Sequence, residues 1–259
     1  MAFALEWDKE DEKLYETGCD HGVLYVREDT STTIPGIDST ITGGTPAKTH
    51  YSNGVVWNGL TSVSKSPSGA EANDIYADNI KYASLRSAET FGATIEAYMY
   101  PDEFAECDGS AEPTTGVYVG QQKRKTFGFS FRSDVGKASE GGIDVDNDYK
   151  LHLVYGATAS PSEQQYSTIN DSPEANTMSW ELTTLPVTVG EVDGVKYLPT
   201  ATLVIDATKF KTDDEKTKLE NFEKILYGTP AVMDGETVTT PAVAAMLPMP
   251  ADVIAFFKA

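Results

Sequence analysis

The chain has 259 residues, of which 40 are acidic and 20 basic, so its formal net charge at pH 7 is -20. The length allows one large domain or two small ones, and we expect a single domain over residues 1–259 with long loops. The charge argues against a protein that grips nucleic acid, because phosphate binding needs a basic face. No membrane-spanning run or signal peptide is evident, so we expect a soluble protein that is not exported.

Short aromatic and β-branched runs separated by Gly, Pro, Asp and Asn predict a mainly β protein with antiparallel strands. The candidate strands are residues 21–27, 55–64, 74–84, 90–100, 116–121, 126–132, 149–155, 177–186 and 201–206. Several alternate, as Met178, Trp180 and Leu182 do with Ser179 and Glu181. We expect such strands to bury one face and leave the other to solvent or a partner. Three of the runs lie within residues 53–105, which carry no recognisable chemistry.

Asp193 and Gly194 separate two short β-type runs. An Asp-Gly pair takes the positive φ angles of a tight hairpin turn, so we predict that residues 180–206 form one long hairpin.

A single amphipathic helix is predicted over residues 212–227. Thr212 and Glu215 have the spacing of a capping box, which satisfies backbone donors at a helix start. Leu219, Phe222 and Leu226 follow at spacings of three and four, so they form one apolar stripe that should pack on the sheet.

Three polar stretches, residues 29–52, 133–148 and 229–250, interrupt the strand pattern and are predicted to be long surface loops. Residues 101–107 are predicted to end a strand in a turn of helix. Residues 250–259 are apolar for a terminus, and two interpretations stay open: a last core helix, or an arm that packs on a neighbouring subunit.

The candidate metal ligands do not complete a known site. Asp144, Asp146 and Asp148 have the alternate spacing of a calcium loop, but Tyr149 and Tyr155 occupy the positions where that loop needs Gly and Glu. We therefore favour a solvated acidic turn.

Cys19 and His21 flank Asp20 in a metal-like triplet, but zinc needs four ligands. The other candidates, Cys107, His50 and His152, have no recognised spacing. We expect no metal and two reduced thiols.

Catalytic motifs are also missing from the sequence. There is no Gly-x-Ser-x-Gly elbow, and His152 is predicted to be an exposed or partly buried strand residue. The basic run of residues 123–125 fits a hairpin edge or an inter-subunit salt bridge better than a nucleic-acid site. We expect neither enzymatic activity nor a cofactor.

A series of segments resembles the major tail proteins, or tail tube proteins, of long-tailed siphovirus-like phages. These segments are VLYV at 23–26, WNGL at 57–60, IYADNIKYA at 75–83, YPDEF at 100–104, WELTT at 180–184, the strand end at 205–206 with its following helix, LPMP at 247–250 and DVI at 252–254. None is a signature with a mechanism, but their order along most of the chain carries the resemblance.

The resemblance implies an antiparallel β-sandwich or rolled β-barrel flanked by one α-helix. Such subunits form hexameric rings whose sheets join around a lumen, and the rings stack into the tube through which phage DNA passes without specific binding. Further partners would be the tape measure, tail terminator and distal tail proteins. The protein would be made in the host bacterial cytoplasm and located in the virion tail, with no membrane partner.

The resemblance also assigns roles by position. Residues 29–52 would be the loop that stacks one ring on the next, and the acidic N-terminal segment and residues 250–259 would be arms. An acidic lumen would repel DNA phosphates, and Glu96 and Glu181 are candidates for that face; the alternative is that the excess of acid only confers solubility.

A second function stays open at this point: a non-catalytic β-sandwich binding module of a tail tip or surface structure that recognises carbohydrate or a receptor. Such a module favours exposed aromatic residues on loops. Trp57 and Trp180 lie within predicted strands, which favours packing instead.

Overall fold

The computed structural model describes residues 14–28, 50–69, 71–137, 149–162, 164–166, 168–169, 171, 175–192, 194–234 and 237–258. These residues form a mainly β protein with antiparallel strand pairing, as predicted. The strands are β1 (Leu14–Glu28), β2 (His50–Val56), β3 (Leu60–Lys65), β4 (Ala72–Ala77), β5 (Ile80–Arg86), β6 (Gly92–Ala97), β7 (Ala111–Thr114), β8 (Val117–Val119), β9 (Phe127–Lys137), β10 (Tyr149–Ala159), β11 (Met178–Thr184), β12 (Gly190–Val192), β13 (Val195–Tyr197), β14 (Thr202–Asp206), β15 (Val232–Asp234) and β16 (Thr237–Thr240). The helices are α1 (Ala105–Asp108), α2 (Asp213–Tyr227) and α3 (Pro250–Lys258).

The main sheet has eight strands in the order β2-β1-β9-β10-β11-β6-β3, with β14 also paired to β10. One edge of β10 pairs with β9. The opposite edge is shared, because β14 pairs with its first half and β11 with its end. The prediction of one long hairpin over residues 180–206 is therefore wrong: β11 and β14 follow each other along one edge instead of pairing together.

The chain leaves that edge and returns through a shorter hairpin. β12 and β13 pair across the predicted turn, and Gly194 has φ 75°. Gly156 of β10 lies beside the start of the connection between β11 and β14. Its φ is +62°, and a Cβ built there would lie 2.1 Å from the carbonyl oxygen of Leu185. Only glycine fits, because a side chain would both strain the backbone and collide with another main chain.

One face of the main sheet is curved around an aromatic cluster. Trp57 follows β2, yet its ring centroid lies 5.7 Å from that of Trp180 on β11. Phe104 lies 5.2 Å from Trp180, and Phe129 of β9 lies 5.5 Å from Trp57. Since β2 and β11 stand far apart in the strand order, these contacts require the sheet to bend around the cluster. Both tryptophans are buried, as their placement in predicted strands indicated.

The second face carries α2 and α3. Leu151, Leu153 and Tyr155 of β10 pack there against Leu219 and Phe222 of α2. The strand β10 is therefore apolar on both faces. The expectation that strands bury a single face is wrong for β10, because helices cover the side that a one-layer sheet would leave to solvent.

The predicted helix is confirmed as α2. Thr212 is its N-cap, and the reciprocal bonds between Thr212 and Glu215 form the expected capping box. The C-terminal segment forms α3, and Phe222 of α2 lies 5.7 Å from Phe256 and 5.2 Å from Phe257 between ring centroids. In this chain α3 packs on its own core, which favours the core-helix interpretation.

The strands β4 and β5 form a two-stranded hairpin that shares the register of the β3–β6 ladder. Val63 lies opposite Ile95, Ser68 bridges to Thr90, and Ile75 lies opposite Ala83. No residue is gained or lost on one strand relative to the other between these three pairs, so they share one register. We call β4 and β5 the ribbon, because they pair only with each other within the described sheets.

Two predicted strands were too long. Residues 55–64 are split by a turn that contains Gly59 at φ +77°. Residues 74–84 are split by Asp78 and Asn79 at φ 50° and 63°. Both places carry turn chemistry, since Gly, Asn and Asp tolerate positive φ.

The loop predictions are partly wrong. Residues 50–52 of the predicted stacking loop belong to β2, and residues 133–137 belong to β9. Residues 229–250 contain β15, β16 and the start of α3. The predicted turn of helix at 101–107 is confirmed by a 3-10 turn at Asp102–Phe104 that leads into α1. Within the described parts of the chain, no helix is long and apolar enough to cross a membrane.

Candidate assembly surfaces

The outer face of β3, β6 and β11 is polar. Glu96 of β6 lies opposite Ser179 of β11 and Ser62 of β3, and Glu181 lies opposite Thr94. Ser62 Oγ donates a hydrogen bond to Glu96 Oε2 at 2.9 Å. Glu181 is exposed and Glu96 is half-buried. The structure therefore brings Glu96 and Glu181 together on one face of the sheet, on adjacent strands.

This polar face differs from the rest of the outer surface of the sheet. The apolar cluster under α2 and α3 takes its strand residues from β1, β2, β10 and β14, and none from β3, β6 or β11. Behind the polar face lie Ile95, Trp180 and Leu182, which are all buried. Among the described residues, the sheet thus has one side covered by helices and one side lined by hydroxyls and carboxylates that no helix covers.

A polar network closes one end of the aromatic cluster. Lys65 Nζ donates to His152 Nδ1 at 2.8 Å, and His152 Nε2 lies 2.8 Å from Ser133 Oγ. Ser133 Oγ donates to Glu16 Oε1 at 2.7 Å, and Lys150 Nζ donates to Glu16 Oε2 at 2.6 Å. The network links β1, β3, β9 and β10. His152 is only 2% exposed, so the expectation of an exposed or partly buried histidine is wrong.

The electrostatics of the network follow from burial and pairing. Burial, together with the neighbouring Lys65, lowers the pKa of His152 to about 4, so the imidazole is neutral at pH 7. Burial also lowers the pKa of Lys65. For Glu16, burial opposes ionisation, but hydrogen bonds from Lys150 and Ser133 outweigh it and lower the pKa to about 2.

Ser133, His152 and Glu16 have the composition of a hydrolase triad but different connectivity. In a triad, the carboxylate accepts from the histidine nitrogen that faces away from the serine. Here that nitrogen accepts from Lys65, while Ser133 itself donates to the carboxylate. The Glu16 carboxylate instead lies 3.3 Å from His152 Nε2, on the side of the imidazole that faces Ser133, so the order of a triad is absent and the network links strands.

Asp20, the central residue of the metal-like triplet, forms an ion pair with Arg132. Both side-chain oxygens of Asp20 accept from Arg132, each at 3.0 Å, and His21 Nδ1 lies 2.8 Å from Asp20. Cys19 and Cys107 are free thiols. Burial raises their pKa to about 11 and about 12 respectively, so both are protonated at pH 7.

The basic run makes bonds within the chain. Arg124 Nη1 donates to Asp108 Oδ1 at 3.2 Å and to the Ala159 carbonyl at 2.9 Å. Lys125 forms an ion pair with Glu106. Both pairs lie beside α1, so a salt bridge to another subunit is not needed to explain these two cations.

A shallow groove of about 230 Å³ lies between the end of β6 and the residues before β11. Its lining combines two tyrosines and three amides with an alanine, a threonine and a methionine: Tyr98, Tyr166, Gln164, Gln165, Asn176, Ala175, Thr177 and Met178. Both rings are exposed, Tyr98 by 52% and Tyr166 by 80%. Sequence reasoning missed this groove, because its two sides come from segments far apart in the chain.

Several predicted sites lie outside the described residues. They are Asp144, Asp146 and Asp148 of the acidic turn, residues 29–49 of the stacking loop, and residues 1–13 of the N-terminal arm.

No protein-family model matches the chain. A comparison with functionally curated proteins also found no significant match. The functional assignment therefore depends on the surfaces described above and on the resemblance carried by the ordered sequence segments.

Proposed function

We propose that this chain is the tail tube subunit of a long-tailed phage, a structural virion protein that forms hexameric rings stacked into a hollow tube. The finer fold under this proposal is a rolled β subunit of the tail-tube type. No catalysis and no cofactor are involved. The partners are other copies of the chain, the tape measure, terminator and distal tail proteins, and the DNA that passes through the lumen.

The observation that carries the proposal is the bare polar face of β3, β6 and β11. Helices cover one half of the sheet, and Ser, Thr and Glu line the other half. This polar half is a surface suited to a water-filled channel. Glu96 and Glu181 lie on that face, and neither forms an ion pair with a basic residue in the described structure. Fixed negative charge on a channel wall repels phosphates and prevents DNA from adhering.

The sheet also offers an edge for ring formation. The strand β3 ends the order of the main sheet, and within the described sheets its ladder partner is β6 alone. An open strand edge presents unpaired backbone donors and acceptors that a strand of a neighbouring copy would satisfy. In the proposed ring, this edge joins adjacent subunits, residues 29–49 stack the rings, and the N-terminal segment serves as an arm.

Electron microscopy of the purified protein over a range of concentrations tests the proposal. Negatively stained six-fold rings or tubes are the expected result, and their number should grow with concentration. A monomer that persists at every concentration and salt condition would remove the basis for a tube subunit.

The tyrosine groove favours a second candidate, a binding module for neutral carbohydrate. Aromatic rings stack on sugar faces and amides bond to hydroxyls, and Tyr98 and Tyr166 stand beside Gln164 and Asn176. Isothermal titration with neutral oligosaccharides, on wild type and on Tyr166→Ala, separates the two functions. Saturable binding that the substitution abolishes would support this candidate, and heat signals that do not saturate would exclude it.

A further inference from the structure

The ribbon carries an apolar face whose large side chains are exposed in the described structure. Residues directly opposed across a ladder share a face, and so do residues two apart along a strand. Ile75 lies opposite Ala83, with Leu85 two residues further, and Ala77 lies opposite Ile80. Ile75, Ile80 and Leu85 are 41%, 64% and 57% exposed. A lone two-stranded hairpin is marginally stable in water, so a face of this kind favours a covering partner.

The apolar face of the ribbon shares its register with the core side of β3 and β6. The pairs Val63–Ile95, Ser68–Thr90 and Ile75–Ala83 keep one register, so Ile75 and Ala83 lie an even number of residues from Val63 and Ile95, which pack in the aromatic cluster. The opposite side carries Asp74, which accepts from Ser84 and pairs with Lys81 at 2.8 Å. That side also carries Tyr76, which lies opposite Lys81 and is 68% exposed, whereas the apolar side includes one polar residue, Asn73, opposite Leu85.

Charge identifies the occupant. Residues 72–86 contain two acids, Asp74 and Asp78, and two bases, Lys81 and Arg86, so the ribbon has no net charge in a chain of net charge -20. Elsewhere, two copies of so acidic a protein repel each other. Two copies can approach each other through the ribbon without this electrostatic repulsion. The apolar face of the ribbon also carries no charged side chain that would lose its hydration in the contact.

The area defines the kind of assembly. A ribbon six residues long is roughly 20 Å by 10 Å, which gives an apolar face of roughly 200 Å². A stable pair of proteins buries about 800 Å² on each partner. The ribbon alone is too small to hold a dimer, so it acts together with other contacts between the same two copies, as in a ring or a stack.

We infer that the ribbon docks its apolar face on a second copy of this chain and forms part of the subunit interface. The inference deepens the proposed tube function and names one of its contacts. In the assembled state, Ile75, Ile80 and Leu85 are buried against the neighbouring subunit, and the face with Asp74 and Lys81 stays in water.

The test compares Ile80→Glu with Ile169→Glu. Both add one negative charge at a highly exposed isoleucine, but Ile169 lies in the loop between β10 and β11, outside the ribbon. Circular dichroism and thermal melting check that both variants keep the wild-type fold. Analytical ultracentrifugation and electron microscopy then measure assembly. Ile80→Glu should raise the concentration needed for assembly at least about tenfold, because it places a charge in an apolar contact, while Ile169→Glu should behave as wild type.

Photocrosslinking identifies the occupant. A benzoylphenylalanine in place of Leu85, in a mixture of ¹⁴N-labelled and ¹⁵N-labelled protein, should give crosslinked peptides that combine both labels. Crosslinks confined to one label would mean that the ribbon packs on its own chain and would overturn the inference.

The outcomes separate the inference from the tube function. If wild type forms tubes and Ile80→Glu forms them equally well, the ribbon contact is refuted and the tube function stands. If wild type forms another oligomer that Ile80→Glu weakens, the contact stands and the tube function fails. A wild type that is monomeric at every concentration refutes both.

Discussion

Lys65 Nζ lies 2.8 Å from His152 Nδ1, so a lysine donates to a histidine that burial keeps neutral. The pair joins β3 to β10, which are not neighbours in the sheet. Protonation of His152 would place two cations in contact within a buried network and remove the acceptor on which the bond depends.

Acid should therefore destabilise the fold in a defined pH window. The pKa of His152 is lowered from 6.5 to about 4 on folding, so the unfolded chain binds a proton first as pH falls. The free energy of unfolding should decrease between these values by up to about 3 kcal/mol. The lowered pKa of Glu16 adds a further loss below pH 4.5. Urea unfolding at a series of pH values measures the slope.

A matched pair of variants isolates the histidine. His152→Gln should flatten the slope between pH 6.5 and 4, whatever its effect on stability at pH 7. His21→Asn removes a histidine of which nearly half the side chain is exposed, and Asn tolerates the positive φ at that position. An unchanged slope in His152→Gln would show that another group titrates.

Gly156→Ala should be strongly destabilising, because a Cβ there would lie 2.1 Å from the Leu185 carbonyl oxygen. Gly194→Ala is the control, since Gly194 has a similar φ and no atom within 4 Å of the added carbon. The control should lose about 1–2 kcal/mol, the cost of a left-handed residue, and Gly156→Ala clearly more. Equal losses in urea unfolding would mean that the strand edge moves to admit the methyl group.

Thr212→Ala should cost about 1 kcal/mol of stability, because the capping box loses the acceptor for the Glu215 amide. Thr212→Ser keeps that oxygen and should remain near wild type. Thermal melting of the three proteins measures the difference. A loss shared by the serine variant would point to the methyl group of Thr212 instead of its hydroxyl.

The polar face should be tested for its repulsion of DNA. Glu96→Lys combined with Glu181→Lys turns two negative charges on one face into two positive ones. Glu103→Lys combined with Glu191→Lys makes the same change in net charge at exposed positions outside that face. In fluorescence anisotropy with duplex DNA at low salt, the first pair should bind in a strongly salt-dependent way and the second pair more weakly. Equal binding by the two double variants would mean that net charge alone sets the affinity for DNA.

The alternation of apolar and polar residues predicted the polar face correctly where no described helix covers that side of the sheet. Trp180 and Leu182 point into the core, and Glu181 points out. The same rule failed at β10, because helices cover its second side, and at β9, where side chains of neighbouring segments cover it. Ser130 looks like a solvent-facing residue in the sequence, yet it is buried and its hydroxyl lies 3.2 Å from that of Tyr25. A single sequence does not show which strands a distant helix will cover.

The network around His152 was unpredictable for a related reason. Its members lie on four strands, and each looks unremarkable in its own segment. By contrast, Asp78 and Asn79 are a local turn signal. It was overlooked because the residues on both sides have high strand propensity. Turn residues that tolerate positive φ would have divided residues 74–84 correctly, and with them the ribbon would have been recognised from the sequence.

The register that the β4–β5 hairpin shares with β3 and β6 has a mechanical consequence. A pull on the tip at Asp78–Asn79 along the strand direction loads the β6–β11 ladder in shear, since β6 slides lengthwise against its neighbour. In shear the ladder bonds share the force, whereas in peeling they break one after another. The tip is therefore attached to the main sheet in the geometry that resists force better, and tension applied there is transmitted to the strand that carries Trp180.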